Sequence, residues 1–147
     1  MGAVTYPDPA VVKALSEDFV PCRLESAKAP DVARKMNVRW LPGLVVCDAD
    51  ERPSNVQIGS LPPEDLLDEL AHGRAIIAMG GKRYDEAHAL FARIAERGGE
   101  RAPEAVFWWG ISRYRQSKKF EDCQDAWRQI VARWPASQWT RKVAYAL

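Results

Sequence analysis

Cysteine and histidine are scarce in this 147-residue chain, which contains three cysteines and two histidines. Cys22, Cys47 and Cys123 lie far apart, so no two of them have the close spacing typical of metal sites and dithiol redox centres. His72 and His88 fall on different predicted helices, away from any cysteine pair. The sequence therefore predicts no metal site and no cofactor. Scattered thiols in a chain without a leader segment also indicate a reducing, cytoplasmic setting.

Long apolar runs are missing as well, because no stretch approaches the roughly 18 apolar residues of a membrane-spanning helix. The chain also lacks an excess of either charge, since 21 basic residues face 20 acidic ones for a net charge of +1. Nucleic acids and membrane surfaces attract proteins that carry a concentrated basic face. We therefore expect neither a nucleic acid nor a membrane as a partner.

Familiar catalytic motifs do not occur, since the sequence has no GxSxG, no Walker loop and no zincin helix. One acidic cluster stands out near the middle of the chain, and it comprises Glu64, Asp65, Asp68 and Glu69. Acidic residues are favoured in the first turn of a helix, and Pro62 and Pro63 mark such a start. The simplest interpretation of this cluster is a solvated helix face.

The most informative stretch that is present runs from Trp40 to Asp48, where Pro42 precedes a continuous apolar run. The length of the run and its β-branched centre favour a strand buried on both faces. Proline cannot donate to a sheet ladder, so Pro42 is placed at the start of that strand. Pro30 opens a short helix before it, and residues 55–59 alternate as a second, half-exposed strand after a turn.

Two further elements precede this stretch. Asp8 is placed to cap a helix that Pro9 opens. The segment from Phe19 to Leu24 is predicted to be an edge or irregular strand, because Pro21 interrupts its alternation.

This order of helix, proline, apolar strand, turn, strand and helix resembles the second half of a thioredoxin-like domain. The resemblance implies a cis peptide bond between Leu41 and Pro42, on the side that faces the active-site cysteines of that family. Gly43 stands where family members usually carry threonine. Residues 6–15 resemble the end of the helix that follows the family's WCxxC motif. That motif and the central strand before it do not occur in this sequence, which begins where the family's active-site helix is already under way.

Without a central strand, the predicted strands Phe19–Leu24 and Leu44–Asp48 would have open edges. Three arrangements would satisfy these edges: the two strands close up, residues Met1 to Tyr6 fill the gap between them, or another chain fills it. Open apolar edges are templates for pairing, so we expect self-association, most simply a two-fold dimer. If the strands closed up, Cys22 and Cys47 would approach each other as redox candidates. The alternative is that both cysteines are small apolar core residues.

From Gly73 onward, aromatic residues and alanines recur at helical spacing, and the stretch is predicted to form four or five helices joined by short turns. The pattern Tyr84-x-x-Ala87-x-x-x-Phe91 repeats 36 residues later as Phe120-x-x-Cys123-x-x-x-Trp127. This stretch resembles tetratricopeptide repeats, whose period is about 34 residues.

Five of the six tryptophans lie in this second part. Trp108 and Trp109 are adjacent and cannot both face the same side of a helix, so one of them is a candidate for exposure. An exposed tryptophan near Arg113 would anchor a protein or peptide partner. The alternative is that a further face of the protein covers it.

The predicted fold class is α/β plus all-α: residues 1–72 form an incomplete thioredoxin-like sheet with flanking helices, and residues 73–147 form tetratricopeptide-like hairpins. The predicted function is protein binding without catalysis, through the groove at Leu41, Pro42 and Gly43 and through the surface of Trp108, Trp109 and Arg113. The alternative, which the family implies, is a thiol–disulfide oxidoreductase whose CxxC segment is missing from this sequence.

Overall fold

The computed structural model describes residues 2–147 of the chain. These residues are mostly helical and include one small antiparallel sheet, which agrees with the coarse prediction of a mixed part and a helical part. They divide into two compact units, the first ending at Gly73 and the second beginning at Arg74. The elements are α1 (Pro9–Asp18), α2 (Pro30–Lys35), β1 (Gly43–Cys47), β2 (Pro53–Ile58), α3 (Pro63–Gly80), α4 (Tyr84–Arg97), α5 (Ala102–Ser117), α6 (Phe120–Arg133) and α7 (Gln138–Val143), with a 3-10 turn (Ala144–Ala146) at the end.

Helix α1 begins as its sequence predicts. The carboxylate of Asp8 accepts hydrogen bonds from the backbone amides of Ala10 (2.9 Å) and Val11 (3.3 Å), and Pro9 occupies the first turn. These bonds satisfy amides that would otherwise have no partner at a helix start. The side chain of Val11 is fully buried and fixes the inward face of the helix.

Strands β1 and β2 form an antiparallel hairpin, in which Val45 pairs with Val56 and a bulge lies between Val46 and Cys47. The carboxylate of Asp48 accepts hydrogen bonds from the amides of Asp50 and Arg52, both at 2.9 Å, and so closes the turn. Local side-chain bonds of this kind are the reason aspartate is favoured in turns.

Strand β1 differs from its predicted environment. Val46 is its one fully buried residue, while Leu44, Val45 and Cys47 are half-buried. The prediction of a strand buried on both faces was therefore wrong. The reason is that the sheet within residues 2–147 has two strands, so little protein surrounds β1.

The predicted strand from Phe19 to Leu24 is also absent from this sheet. The segment is irregular, and Val20 is 98% exposed. Pro21 cannot donate a backbone hydrogen bond, which leaves the segment poorly suited to a ladder. Of the predicted filler Met1 to Tyr6, Met1 lies outside the described residues. Residues 2–6 form turns, with the Thr5 hydroxyl donating to the carbonyl of Leu61 at 2.6 Å.

Helix α3 supplies most of the buried residues of the first unit. Its buried apolar side chains there are Leu66, Leu70 and Ala71. Asp68 and Glu69 are buried too, so the interpretation of the acidic cluster as a solvated face was wrong for these two. The Asn55 side chain of β2 donates to the Glu69 carboxylate, which explains how a carboxylate is accommodated away from water.

In the second unit, α5 packs against both α4 and α6, and α7 packs against α5 and α6. Three pairs of residues related by the 36-residue offset are buried at equivalent positions, and they are Ala87 and Cys123, Phe91 and Trp127, and Ile94 and Ile130. The fourth pair differs, since Tyr84 is half-buried and Phe120 is exposed. Helices α4 and α6 therefore bury the same face, which follows from their matching apolar spacing.

An aromatic cluster joins α5 to α6. The rings of Phe107 and Trp127 are stacked with centroids 5.3 Å apart, and Phe120 meets Trp127 edge-on at 5.8 Å. The indole nitrogen of Trp127 donates to the carbonyl oxygen of Phe107 at 3.3 Å. Trp127 thus combines burial, ring contacts and a satisfied polar atom in one position.

We predict that Trp127→Ala lowers the free energy of unfolding by about 3–5 kcal/mol, because it removes a large aromatic side chain that is only 8% exposed. Denaturant titration followed by circular dichroism measures this change. Trp40→Ala is the matched control: it makes the same chemical change at an exposed position and should stay within about 0.5 kcal/mol of the parent. Equal effects of the two substitutions would contradict the assignment of the buried face.

Candidate functional site

The segment Leu41–Gly43 forms an apolar corner at the start of β1. The peptide bond between Leu41 and Pro42 is cis, as predicted. The Pro42 carbonyl accepts a hydrogen bond from the Gly59 amide at 2.8 Å, which continues the hairpin ladder by one step. A Cβ atom on Gly43 would lie 2.5 Å from the Val38 side chain, so a threonine would not fit there without displacing Val38.

The side chains before this corner are exposed. Trp40 is 74% exposed and Leu41 is 56% exposed, and Ile58, which pairs with Gly43, is also exposed. Large apolar side chains that lie together on a surface mark interaction sites. Because β1 has β2 as its one strand partner within residues 2–147, an unpaired strand edge begins beside these side chains. We call Trp40, Leu41 and the free edge of β1 the apolar edge.

The three cysteines are all free thiols. Cys22 is exposed on the irregular segment after α1, and Cys47 ends β1, where its sulfur lies 3.8 Å from the sulfur of Met36. Burial raises the pKa of the Cys47 thiol, and the carboxylates of Asp48 and Glu51 raise it further. Cys22 and Cys47 are therefore not joined in a disulfide, and the environment of Cys47 disfavours the reactive thiolate.

Cys123 lies in the core of the second unit, where it occupies the position equivalent to Ala87. Burial raises its pKa to about 11. This thiol stays protonated near neutral pH, and it acts as a small apolar residue that packs between helices.

The predicted binding residues of the second unit lie on α5. Trp108 and Trp109 are both half-buried, so neither is the exposed anchor that their adjacency suggested. The Arg113 guanidinium lies over the Trp109 ring, 5.2 Å from its centroid, and bonds to the Asp122 carboxylate of α6 at 3.1 Å. Trp109 and Arg113 thus form one cluster, and its charged group is already engaged inside the unit.

Other aromatic residues of this unit are exposed, and sequence reasoning missed them. Tyr145, in the final 3-10 turn, is 97% exposed. Tyr114 lies in the last turn of α5 with 39% of its surface exposed, and Phe120 begins α6 with 43% exposed. Their rings meet edge-on at 5.9 Å. Their place beside the turn between α5 and α6, where lysines follow, was the available signal.

His88 of α4 lies close to polar groups of α5, and its pKa is shifted. Burial lowers the pKa of His88 below its usual range; Arg113 lowers it further, while Asp85 and a hydrogen bond to the Ser112 backbone oppose the change. The Nε2 atom of His88 is buried without a hydrogen-bond partner in residues 2–147. A proton added to that atom would have no acceptor, which agrees with the direction of the shift.

Among residues 2–147, no group of three His, Cys, Asp or Glu side chains is arranged to hold a metal ion. Every helix in the same range is too short or too polar to cross a bilayer. Comparison of the chain with protein-family models, with curated proteins and with solved structures gives no match. The candidate sites therefore rest on the residues of this chain.

We predict that His88 makes the protein less stable as the pH falls. Above its unfolded pKa of 6.5, His88 is neutral in both states and has no effect. Below 6.5 the unfolded chain binds a proton that the folded chain resists, so stability falls until the pH reaches the lower folded pKa. Between pH 7.5 and 5.5, the thermal midpoint of the parent should fall more than that of His88→Gln.

The histidine pKa is directly measurable, because the chain has two histidines and the His88→Gln spectrum assigns the remaining imidazole signal. An NMR titration should place the His88 pKa below 6.5 in the folded protein. A value at or above 6.5 would contradict the burial argument.

Proposed function

We propose that this chain is a protein-binding module, in which a thioredoxin-like first part is followed by a tetratricopeptide-like helical part. The observation that carries the proposal is the apolar edge: an unpaired strand edge flanked by the exposed side chains of Trp40 and Leu41. Edges of this kind take an extended peptide as an added strand, whose backbone supplies hydrogen bonds and whose side chains fill neighbouring apolar surface.

Two observations support the family interpretation. The cis peptide before Pro42 opens strand β1, in the order that the thioredoxin resemblance implies. In the second part, α4 and α6 bury equivalent residues 36 positions apart, as repeats of one hairpin would. Repeat arrays of this type commonly serve as binding surfaces.

The competing function is thiol–disulfide exchange. It needs an accessible thiolate and a second thiol to resolve the mixed disulfide. Cys47 and Cys123 both have raised pKa values, which disfavours the thiolate at these positions. Cys22 is exposed and is the remaining candidate nucleophile.

We predict that this chain does not catalyse reduction of insulin by dithiothreitol above the uncatalysed rate. Cys22→Ser is the informative variant, since it removes the one exposed thiol. Turnover by the parent chain that disappears in Cys22→Ser would support the oxidoreductase and count against the binding module.

For the binding module, we predict that extended peptides bind at the apolar edge. The probe is a panel of fluorescein-labelled heptapeptides that alternate valine and threonine, with a second panel in which proline replaces the central residue. Binding by strand addition requires free peptide amides, so fluorescence anisotropy should detect the first panel and not the second.

The variant Trp40→Ala with Leu41→Ala should weaken this binding at least tenfold, because each lost contact removes roughly 1.5–3 kcal/mol of apolar burial. Val20→Ala is the control, since it truncates an exposed apolar side chain outside the edge and should leave the affinity unchanged. If the double substitution left the peptide affinity unchanged, the peptide would bind somewhere other than the apolar edge.

A further inference from the structure

The net charge of the chain is close to zero because its two units carry opposite net charges. Residues up to Gly73 contain 12 acidic and 7 basic residues, which gives the first unit a net charge of −5. Residues from Arg74 onward contain 14 basic and 8 acidic residues, which gives the second unit a net charge of +6. Each unit thus carries a net charge of ordinary magnitude for a small domain, and the two charges have opposite signs.

Part of the positive charge is concentrated at one end of the second unit. Arg115, Lys118 and Lys119 surround the turn between α5 and α6, are exposed, and form no ion pair within residues 2–147. Tyr114 and Phe120 lie within the same turn region. We call these five residues the basic end.

A second turn of the chain lies beside the basic end and adds another cation. The Gln116 side chain at the end of α5 donates to the Asp85 carboxylate at the start of α4, with 3.1 Å between the two atoms. The turn before α4, which carries the exposed Lys82, therefore lies at the same end of the unit.

The carboxylates at this end are largely engaged. Asp122 bonds Arg113, Glu86 bonds Arg83, and Asp85 accepts from Gln116. Of the acidic residues in the first turns of α4 and α6, Glu121 remains. The unpaired cations therefore outnumber the unpaired carboxylates there, so the basic end is complementary to an acidic surface.

The first unit carries the opposite net charge, and some of its acidic residues are exposed. Glu17, Glu25 and Asp50 are exposed and lie on three different parts of it: the last turn of α1, the following loop and the β1–β2 turn. Glu25 and Asp50 pair with Lys28 and Arg52, but ion pairs at exposed positions are weak and readily exchanged.

We propose that the basic end binds the acidic first unit of a second copy of this chain, which forms a two-fold dimer held largely by charge. Two-fold symmetry makes each contact occur twice, so the +6 unit of each protomer faces the −5 unit of its partner. The inference rests on the proposed function in one respect, because the bound protein is another copy of the chain. It uses a surface separate from the apolar edge.

A second copy fits the observations better than a nucleic acid does. The opposite charges on the two units are nearly equal, so one dimer neutralises both of them. A nucleic acid would neutralise the second unit and repel the first. In addition, the rings of Tyr114 and Phe120 meet edge-on, so they do not offer parallel faces on which successive bases stack.

The first test is sedimentation velocity on the full chain at several micromolar concentrations and at 50 and 500 mM salt. Dimers should form at low salt, and their dissociation constant should rise about tenfold or more at high salt, because screening weakens contacts between exposed charges. A monomer of 16.5 kDa at every concentration and at low salt would overturn the proposal.

Charge reversal then assigns the surfaces. The triple variant Arg115→Glu, Lys118→Glu and Lys119→Glu changes the second unit from +6 to a net charge of zero, and it should sediment as a monomer. Circular dichroism checks that it remains folded. A folded triple variant that still dimerises would overturn the assignment to the basic end.

The complementary triple variant Glu17→Lys, Glu25→Lys and Asp50→Lys should also be monomeric, since its first unit changes from −5 to +1. A mixture of the two triple variants forms one contact with the parent charges and one contact with the charges exchanged, so it should associate again. This rescue in the mixture cannot come from misfolding of either variant. Absence of association in the mixture would count against the paired surfaces.

Two controls separate this inference from the proposed function and from a polyanion site. Trp40→Ala with Leu41→Ala should leave dimerisation unchanged, so loss of peptide binding and loss of the dimer are independent outcomes. A 20-nucleotide single-stranded DNA should bind weakly and should not require the basic end. Tight binding that is lost in the Arg115, Lys118 and Lys119 variant would reassign the basic end to a polyanion.

Discussion

Burial of the β-hairpin against α3 is the constraint on which the first unit depends. A two-stranded sheet is marginally stable in water by itself and needs a partner surface. Val46 provides the contact from β1: it lies so close to Gly73 that a Cβ atom on that glycine would be 2.7 Å from the valine side chain. Asn55 provides the contact from β2 through its bond to Glu69. Strand β1 therefore requires a residue as small as Gly73 on α3, and strand β2 requires a hydrogen-bond acceptor, which Glu69 provides.

Sequence reasoning succeeded where a side chain bonds to the backbone of residues close to it in the sequence. Asp8 caps α1 because its carboxylate reaches the next amides, and Asp48 closes the hairpin turn in the same way. These interactions span a few residues and leave a local signature. The helices of the second unit were predictable for a related reason, since Phe91 and Trp127 belong to long amphipathic segments with the same spacing.

Sequence reasoning failed where a residue depends on what lies beside it in space. Val20 looks like a strand residue, yet within residues 2–147 no neighbouring strand pairs with it, and it remains exposed. Asp68 and Glu69 look like solvated acids, yet both are buried, and the partner known for Glu69 lies 14 positions earlier in the chain. The exposure of Tyr114 and the partial burial of Trp109 depend in the same way on which helix faces are covered.

The net charge of the chain is a further property whose effect depends on which residues lie near each other in space. At physiological salt, charges are screened over about 8 Å. A compact unit of 73 residues has a radius of gyration of about 11 Å, which exceeds that distance. A molecule that touches the surface of one unit therefore responds mainly to the charge of that unit, and the sum over both units has little effect. The net charge of +1 belongs to the whole chain, whereas a partner in contact with one unit interacts with a net charge of −5 or +6.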